Sequence, residues 1–275
     1  MLISNYNNGK FFKDCFQSIA AQTYGNWEAV IIDDGSSDDS VAIIESLIKD
    51  EPRCRLLMRK ENKGCGYTKR ECVELAAGQL CGFLDPDDAL MPAAIEKMVA
   101  AHQNNPDTVL VYSNLYGCDE NLEKQRLYFG NENDVNSGDK FFFNLEYKVF
   151  HFTSFVKTAY NKTTGIDPFL VRAVDQDLIV KLSETGRFYY LNEPLYLYRL
   201  HKKSMSALNI SAYWHWVVIM KAAERRNINV EELFAQHFIA KSAYDKYVSA
   251  VEQSETFKIS AFFAPFLRRL KFSKR

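Results

Sequence analysis

Asp85-Pro86-Asp87-Asp88 follows an apolar run at residues 80–84. Carboxylates at alternate positions beyond a strand can converge on one hard divalent cation. Mg²⁺ or Mn²⁺ prefers such oxygen ligands and can bridge a diphosphate. The same residues can also form a solvated turn, with one Asp capping the next helix. Asp33-Asp34-Gly35-Ser36-Ser37-Asp38 ends an earlier apolar run. A carboxylate there can accept a base N–H or a ribose hydroxyl, although Asp-Gly-Ser is also ordinary turn chemistry. Asn62-Lys63-Gly64 and Lys69-Arg70 place basic residues where a helix begins, a location that favours phosphate. A solvated helix face explains them equally well. Val174-Asp175-Gln176-Asp177-Leu178 puts two acids in the first turn of a helix. Asp177 is positioned to interact with the helix's own amides. Asp175 is better placed to face a cleft and act as a general base. His201 closes Tyr198-Arg199-Leu200-His201. A lone His is more often structural than a ligand, yet beside a carboxylate-bound metal it is a reasonable third ligand.

These residues need elements to hold them. Residues 1–4 and 29–32 read as short strands, and residues 55–58, 80–84 and 108–112 as further strands. Phe11, Phe12, Cys15, Phe16 and Ile19 recur at helix spacing. Val41, Ile44, Leu47 and Ile48 share a face of a second helix, with Ser36 and Ser37 as natural caps. Residues 67–77 form a third helix closed by Gly78, and Pro92 opens a fourth through His102. Strands alternating with helices at this pace predict a largely parallel sheet in an α/β protein. Ligands of such sheets bind beyond the carboxyl ends of the strands. The polar clusters at 5–8, 33–37 and 85–88 all fall there. Residues 119–172 are less regular and predict loops with a short sheet. Residues 174–184 and most of 210–253 read as helical, and 187–191 and 195–199 as two strands.

Composition narrows the function. The chain has 275 residues, 47% of them hydrophobic, ample for a core. Its 34 Lys and Arg against 35 Asp and Glu argue against nucleic acid as a partner, which usually requires a basic excess. The six cysteines show no metal-site spacing, no secretory leader precedes them, and they read as reduced cytosolic thiols.

The ordered set of segments resembles glycosyltransferase family 2, inverting nucleotide-sugar transferases with the GT-A fold. Ser4-Asn5-Tyr6-Asn7, Ser18-Ile19 with Gln22-Thr23-Tyr24, and Val30 through Asp38 carry the resemblance. It continues in Asn62-Lys63-Gly64, Phe83 through Asp88, Gly165-Ile166-Asp167, Asp175-Gln176-Asp177-Leu178 and Tyr198 through His201. It spans residues 1–205. It implies a Rossmann-like GT-A domain, with helices flanking a mostly parallel sheet; by their own residues, 206–255 read as a helical extension and 256–275 as a tail. The resemblance also implies roles. Ser4, Tyr6 and Asp34 would hold base and ribose. Lys69 and Arg70 would join the acids Asp85 and Asp88 in binding the nucleotide sugar. Asp87 and His201 would hold Mn²⁺ or Mg²⁺. Asp175 would be the catalytic base. The implied reaction moves a sugar from a nucleotide diphosphate, a UDP-sugar being favoured, to a hydroxyl of a glycan or lipid-linked acceptor in surface polysaccharide synthesis. Three departures stand out. Val174 replaces an acid usually found before the base. Lys69-Arg70 replaces Ala-Arg-Asn. The first strand is short, so that it is either clipped or begins upstream of Met1.

Residues 256–275 hold six basic and no acidic residues, interleaved with Phe257, Phe262, Phe263, Phe266 and Phe272. Such a helix suits an anionic membrane surface, with the protein peripheral on the inner face; docking on the domain is the other reading. Without the tail, 28 basic residues face 35 acidic ones. Two competing functions share parts of the pattern. A sugar-phosphate nucleotidyltransferase would show a Gly-rich basic segment after the first strand, where Asn5 to Gly9 stands instead. A sugar-nucleotide-binding scaffold would not need the retained acids.

Overall fold

The computed structural model describes residues 1–130, 142–144, 149–201 and 211–229. The chain divides into two compact units, residues 1–207 and 208–275.

In the first unit, β1 (Leu2–Asn5), β2 (Ala29–Asp33) and β3 (Cys54–Met58) make a parallel sheet in the order β1-β2-β3. Every residue of β2 is buried. Its Val-Ile-Ile core suits a strand covered on both faces by helices. Helix α1 (Gly9–Ala20) turns Phe11, Phe12, Cys15 and Ile19 inward, and α2 (Ser40–Ile48) adds Ile44. Helix α3 (Cys65–Leu75) packs against β1 and β2.

The second sheet has the order β4-β8-β6-β9-β5, with β7 paired to β6. Its strands are β4 (Leu80–Gly82), β5 (Ala89–Leu90), β6 (Thr108–Cys118), β7 (Lys124–Tyr128), β8 (Thr153–Val156) and β9 (Arg187–Arg199). Helices α4 (Ala94–Asn104), α5 (Lys157–Tyr160) and α6 (Val174–Ser183) complete the unit. The two sheets join where Leu2 bridges Phe83 in parallel and the Leu84 N–H donates to the Leu2 carbonyl. One core runs through both, from Ile3, Phe12 and Ile31 to Val111, Leu195 and Tyr196.

The expectation of a mostly parallel sheet needs correction. Only β6 and β9 run parallel in the second sheet; its other pairings are antiparallel. The strand–helix alternation stops after β6, and strands that return without a helical crossover pair antiparallel. The two strands expected at 187–191 and 195–199 are one. Pairing with β6 shifts register around Ser113 and Asn114, opposite Leu191 and Pro194. These irregularities carry the strand past a proline that cannot donate to the ladder.

Helix ends also moved. Ser36 and Ser37 do not cap α2. Ser36 Oγ donates to Asp33 Oδ2 at 2.6 Å, and the Ser37 N–H donates to Asn7 Oδ1. Asp38 Oδ1 instead accepts the Ser40 N–H. α3 stops at Leu75 because the Ala77 and Gly78 N–H groups turn to Glu28 Oε1. None of the six cysteines forms a disulfide.

Of the second unit, α7 (Ser211–Arg225) is described, with Val218, Ile219, Ala222 and Ala223 buried. Residues 230–253 and the tail at 256–275 lie outside the described residues. Among the described residues no helix is long and apolar enough to cross a membrane.

Candidate active site

The chain leaves β4 through Phe83 and Leu84, both buried, and then turns sharply, with the Asp88 N–H donating to the Asp85 carbonyl. This turn points its three acids in different directions. Asp88 faces inward and is 1% exposed. Its Oδ2 accepts the Tyr196 hydroxyl at 2.7 Å and its Oδ1 accepts the Arg199 N–H at 2.7 Å. Burial, then the neighbouring Asp87 and Asp85, push its pKa well above the usual carboxylate value. The expected nucleotide-sugar contact by Asp88 thus competes with internal ones: both oxygens bind the turn to β9.

Asp87 faces the other way, and its Oδ2 lies 2.9 Å from Nε2 of His201. Burial and the charge of Asp85 raise the Asp87 pKa, which His201 partly offsets. Arg199 underpins the pair. Its Nε donates to the Asp87 carbonyl at 2.6 Å and its guanidinium reaches Asp14 on α1 at 2.7 Å. The Phe11 ring lies below both, 4.7 Å from the His201 ring and 4.6 Å from the Arg199 guanidinium.

Asp85 stands at the third side, facing Lys69 and Asp175. The Lys69 ammonium, on a side chain only 5% exposed, is 3.1 Å from Asp85 Oδ1 and 2.8 Å from Asp175 Oδ1. Burial alone would lower the Lys69 pKa; Asp175 and Asp85 outweigh it and raise the value well above normal. Asp175 sits in the first turn of α6, which starts from Ala173 in a left-handed conformation (φ 56°). A residue with a Cβ pays roughly 1–2 kcal/mol for that geometry, and such strain clusters where a side chain must be aimed. Burial opposes the Asp175 charge, but Lys69 and His151 more than compensate and hold its pKa far below the usual range. Nε2 of His151 lies 3.4 Å from Asp175 Oδ2 and 4.0 Å from Asp85 Oδ2.

The loop before α6 is clamped. The Gly66 N–H donates to the Leu170 carbonyl, and a Cβ at Gly66 would meet the Asp167 and Leu170 carbonyls at 2.4 and 2.6 Å. Asp177, expected to serve its own helix's amides, accepts the Asp167 N–H and the Lys181 ammonium instead. Arg70, expected beside Lys69 at the nucleotide sugar, is placed differently from it. It bonds Glu74 and the carbonyls of Thr164 and Ile166, so it supports this loop and does not join the acids.

Asp34 lies at the end of β2, 3% exposed. It accepts the N–H groups of Lys63 and Gly64 and a bond from Arg59, which also pairs with Glu71. Its expected base or ribose contact thus competes with three internal donors. Asn5 donates to Asp33. Ser4 is half-buried on β1, and Tyr6 is 49% exposed at the tip of the strand.

Sequence reasoning missed four participants. Arg59 and Asp14 are ordinary charged residues in their segments. Tyr196 lies within a strand pattern that shows no chemistry. His151 lies in the irregular stretch, where only the scarcity of histidine, five in the chain, marked it. A cavity of about 790 Å³ opens at the other ends of the strands, lined among others by Met1, Trp27, Glu28, Gly78 and His102. It lies away from the acids, and its size does not make it the reactive site.

Known proteins resemble this chain in sequence and in fold. The chondroitin synthase of Escherichia coli is 31% identical over 230 residues, 82% of this chain but 32% of the relative. The chain thus spans about a third of that protein's length. Among solved structures, Staphylococcus aureus TarS 1–349 in complex with UDP-GlcNAc superposes with TM-score 0.69 at 17% identity, covering 94% of this chain and 74% of that one. The mannosyltransferase PcManGT of Pyrobaculum calidifontis, in complex with GDP-Man and Mn²⁺, gives TM-score 0.64 at 15% identity, covering 99% and 80%. At such identities these two show the fold alone. The sequence model of Glycosyl transferase family 2 matches residues 1–174, from Ser4 and Tyr6 through the Asp85–Asp88 turn, and stops one residue before Asp175. With well over half of its length matched, the chain belongs to glycosyl transferase family 2.

Proposed function

We propose that this chain catalyses inverting transfer of a sugar from a nucleotide diphosphate, a UDP-sugar being favoured, to a hydroxyl of a glycan or lipid-linked acceptor in surface polysaccharide synthesis. The observation that carries the reading is Lys69, whose one ammonium touches both Asp85 and Asp175. It sets a group suited to a diphosphate beside a carboxylate suited to an acceptor proton. Asp175 stays ionised because Lys69 and His151 outweigh its burial. An ionised carboxylate can take the proton of the attacking hydroxyl, and attack opposite the leaving diphosphate inverts the anomeric carbon. Holding both reactants in line contributes several further orders of magnitude.

Asp87 and His201 fit a divalent cation. They present one carboxylate oxygen and one imidazole nitrogen 2.9 Å apart, and the carboxylate is destabilised by burial and by Asp85. Mn²⁺ or Mg²⁺ held there would offset the charge of the departing diphosphate. The Mn²⁺ in the PcManGT structure supports this choice. Among the described residues no group of three or more His, Cys, Asp and Glu side chains is arranged to hold a metal, so the donor's phosphates would complete the coordination. Ser4, Tyr6 and Asp34 lie at the ends of β1 and β2 and would hold the nucleoside.

The basic tail at 256–275 would hold the enzyme peripherally on the inner face of the membrane, where a lipid-linked acceptor lies. Deleting it is expected to move the protein to the soluble fraction.

A thermal-shift panel of nucleotide sugars with and without Mn²⁺ tests the donor. At about 100 times the dissociation constant the matching donor adds roughly 2.7 kcal/mol of stability. Slow hydrolysis of that donor separates an enzyme from a binding scaffold. No shift with any nucleotide sugar overturns the reading.

A further inference from the structure

Asp175 has two oxygens, and each faces a different side-chain nitrogen. Lys69 holds Oδ1 at 2.8 Å, and His151 faces Oδ2 at 3.4 Å. A base needs one oxygen free for the incoming proton and the other held, so that the free lone pair keeps its direction. Lys69 is shared with Asp85 and stands ready to shift toward a diphosphate. Nε2 of His151 faces the two acids.

We propose that His151 is the positioning residue of Asp175, anchoring Oδ2 so that Oδ1 points at the acceptor hydroxyl once the donor engages Lys69. The inference rests on the transfer reading above.

Three observations support it. First, the His151 ring is stacked on Tyr196, with centroids 5.2 Å apart and planes at 19°. Tyr196 is itself fully buried and bonded to Asp88. The imidazole is thus fixed to the scaffold that fixes the acidic turn. Second, Nδ1 of His151 is buried without a hydrogen-bond partner among the described residues. Buried polar atoms are normally satisfied. Nε2, the nitrogen aimed at the acids, is the one through which the ring meets polar partners. Third, Phe152 also stacks on Tyr196, at 6.2 Å and 21°, so Tyr196 has a second ring packed on it. A 3.4 Å separation is long for a hydrogen bond, but catalytic bonds commonly tighten only when substrates are bound.

The test separates packing from positioning. His151→Phe keeps the flat ring and removes the nitrogen. His151→Gln loses the ring and keeps an N–H donor at similar reach. With the full chain and the donor that stabilises it, His151→Phe is expected to lower kcat about 10- to 100-fold, the range a misplaced reactive group costs. Its donor KM should stay within about twofold, since Lys69 and Asp87 are untouched. His151→Gln should recover most of the loss, and His151→Ala should regain turnover with added imidazole even if the Phe variant folds poorly. Full turnover in His151→Phe, or a loss in His151→Gln as large as in His151→Phe, overturns the proposal. Absence of turnover in the unaltered chain with every donor overturns the transfer reading, and this role with it.

Discussion

The ammonium of Lys69 lies 2.8 Å from Oδ1 of Asp175, across 106 residues of sequence. Helices α3 and α6 meet there, and the pair sits where they meet. Removing one partner of a buried ion pair costs about 3–5 kcal/mol, because the other charge is stranded. Here Asp85 and Asp175 keep 30% and 38% of their side-chain exposure, so water screens much of that cost. Lys69→Met is expected to destabilise the chain by only about 1–2 kcal/mol in urea titrations, while donor binding falls sharply in the thermal-shift panel. Unchanged donor binding would remove Lys69 from the diphosphate site.

Asp175→Asn keeps the shape of the side chain and its bond to Lys69, but an amide cannot accept the acceptor's proton. Transfer should fall by about two to four orders of magnitude, the range of general-base catalysis, with donor binding retained. Near-normal turnover in this variant would sink the assignment of the base.

Tyr196→Phe tests the inward acid. Its hydroxyl satisfies Asp88 Oδ2, and neither residue is more than 1% exposed. Loss of that donor leaves a buried carboxyl oxygen unpaired, at about 1–3 kcal/mol. The urea midpoint should drop with an unchanged slope. A midpoint equal to that of the parent would show that Asp88 finds another donor.

His102 predicts a pH response away from the site. It is buried on α4, with Nε2 3.0 Å from Ser154 Oγ. Burial lowers its pKa below 6.5, with the bond to Ser154 partly opposing. Below pH 6.5 the unfolded chain therefore binds a proton that the folded chain resists. The contribution of neutral His102 is present above 6.5 and is lost as pH falls toward the depressed folded value. His102→Gln should lose less stability than the parent between pH 7.5 and 5. Equal losses in the two proteins would show that other groups set the acid limb.

What the sequence alone determined was local. The buried run of β2, the amphipathic face of α1 and the polar clusters at the strand ends are properties of short stretches, and their order sufficed to place the family. Adjacent residues on one helix were harder. Lys69 and Arg70 are neighbours in sequence but about 100° apart around α3, by helix geometry. Only the packing of α3 against α6 decided that Lys69 meets the acids and Arg70 supports the loop at 164–166. Likewise, Asp85, Asp87 and Asp88 read as one motif. Tyr196 and Arg199, 108 and 111 residues downstream of Asp88, claimed Asp88 for the interior, and His201 took Asp87. Tertiary structure alone placed His151 against Asp175. It comes from a stretch without periodicity, and a contact between a loop and a helix start leaves no spacing in the chain that could announce it.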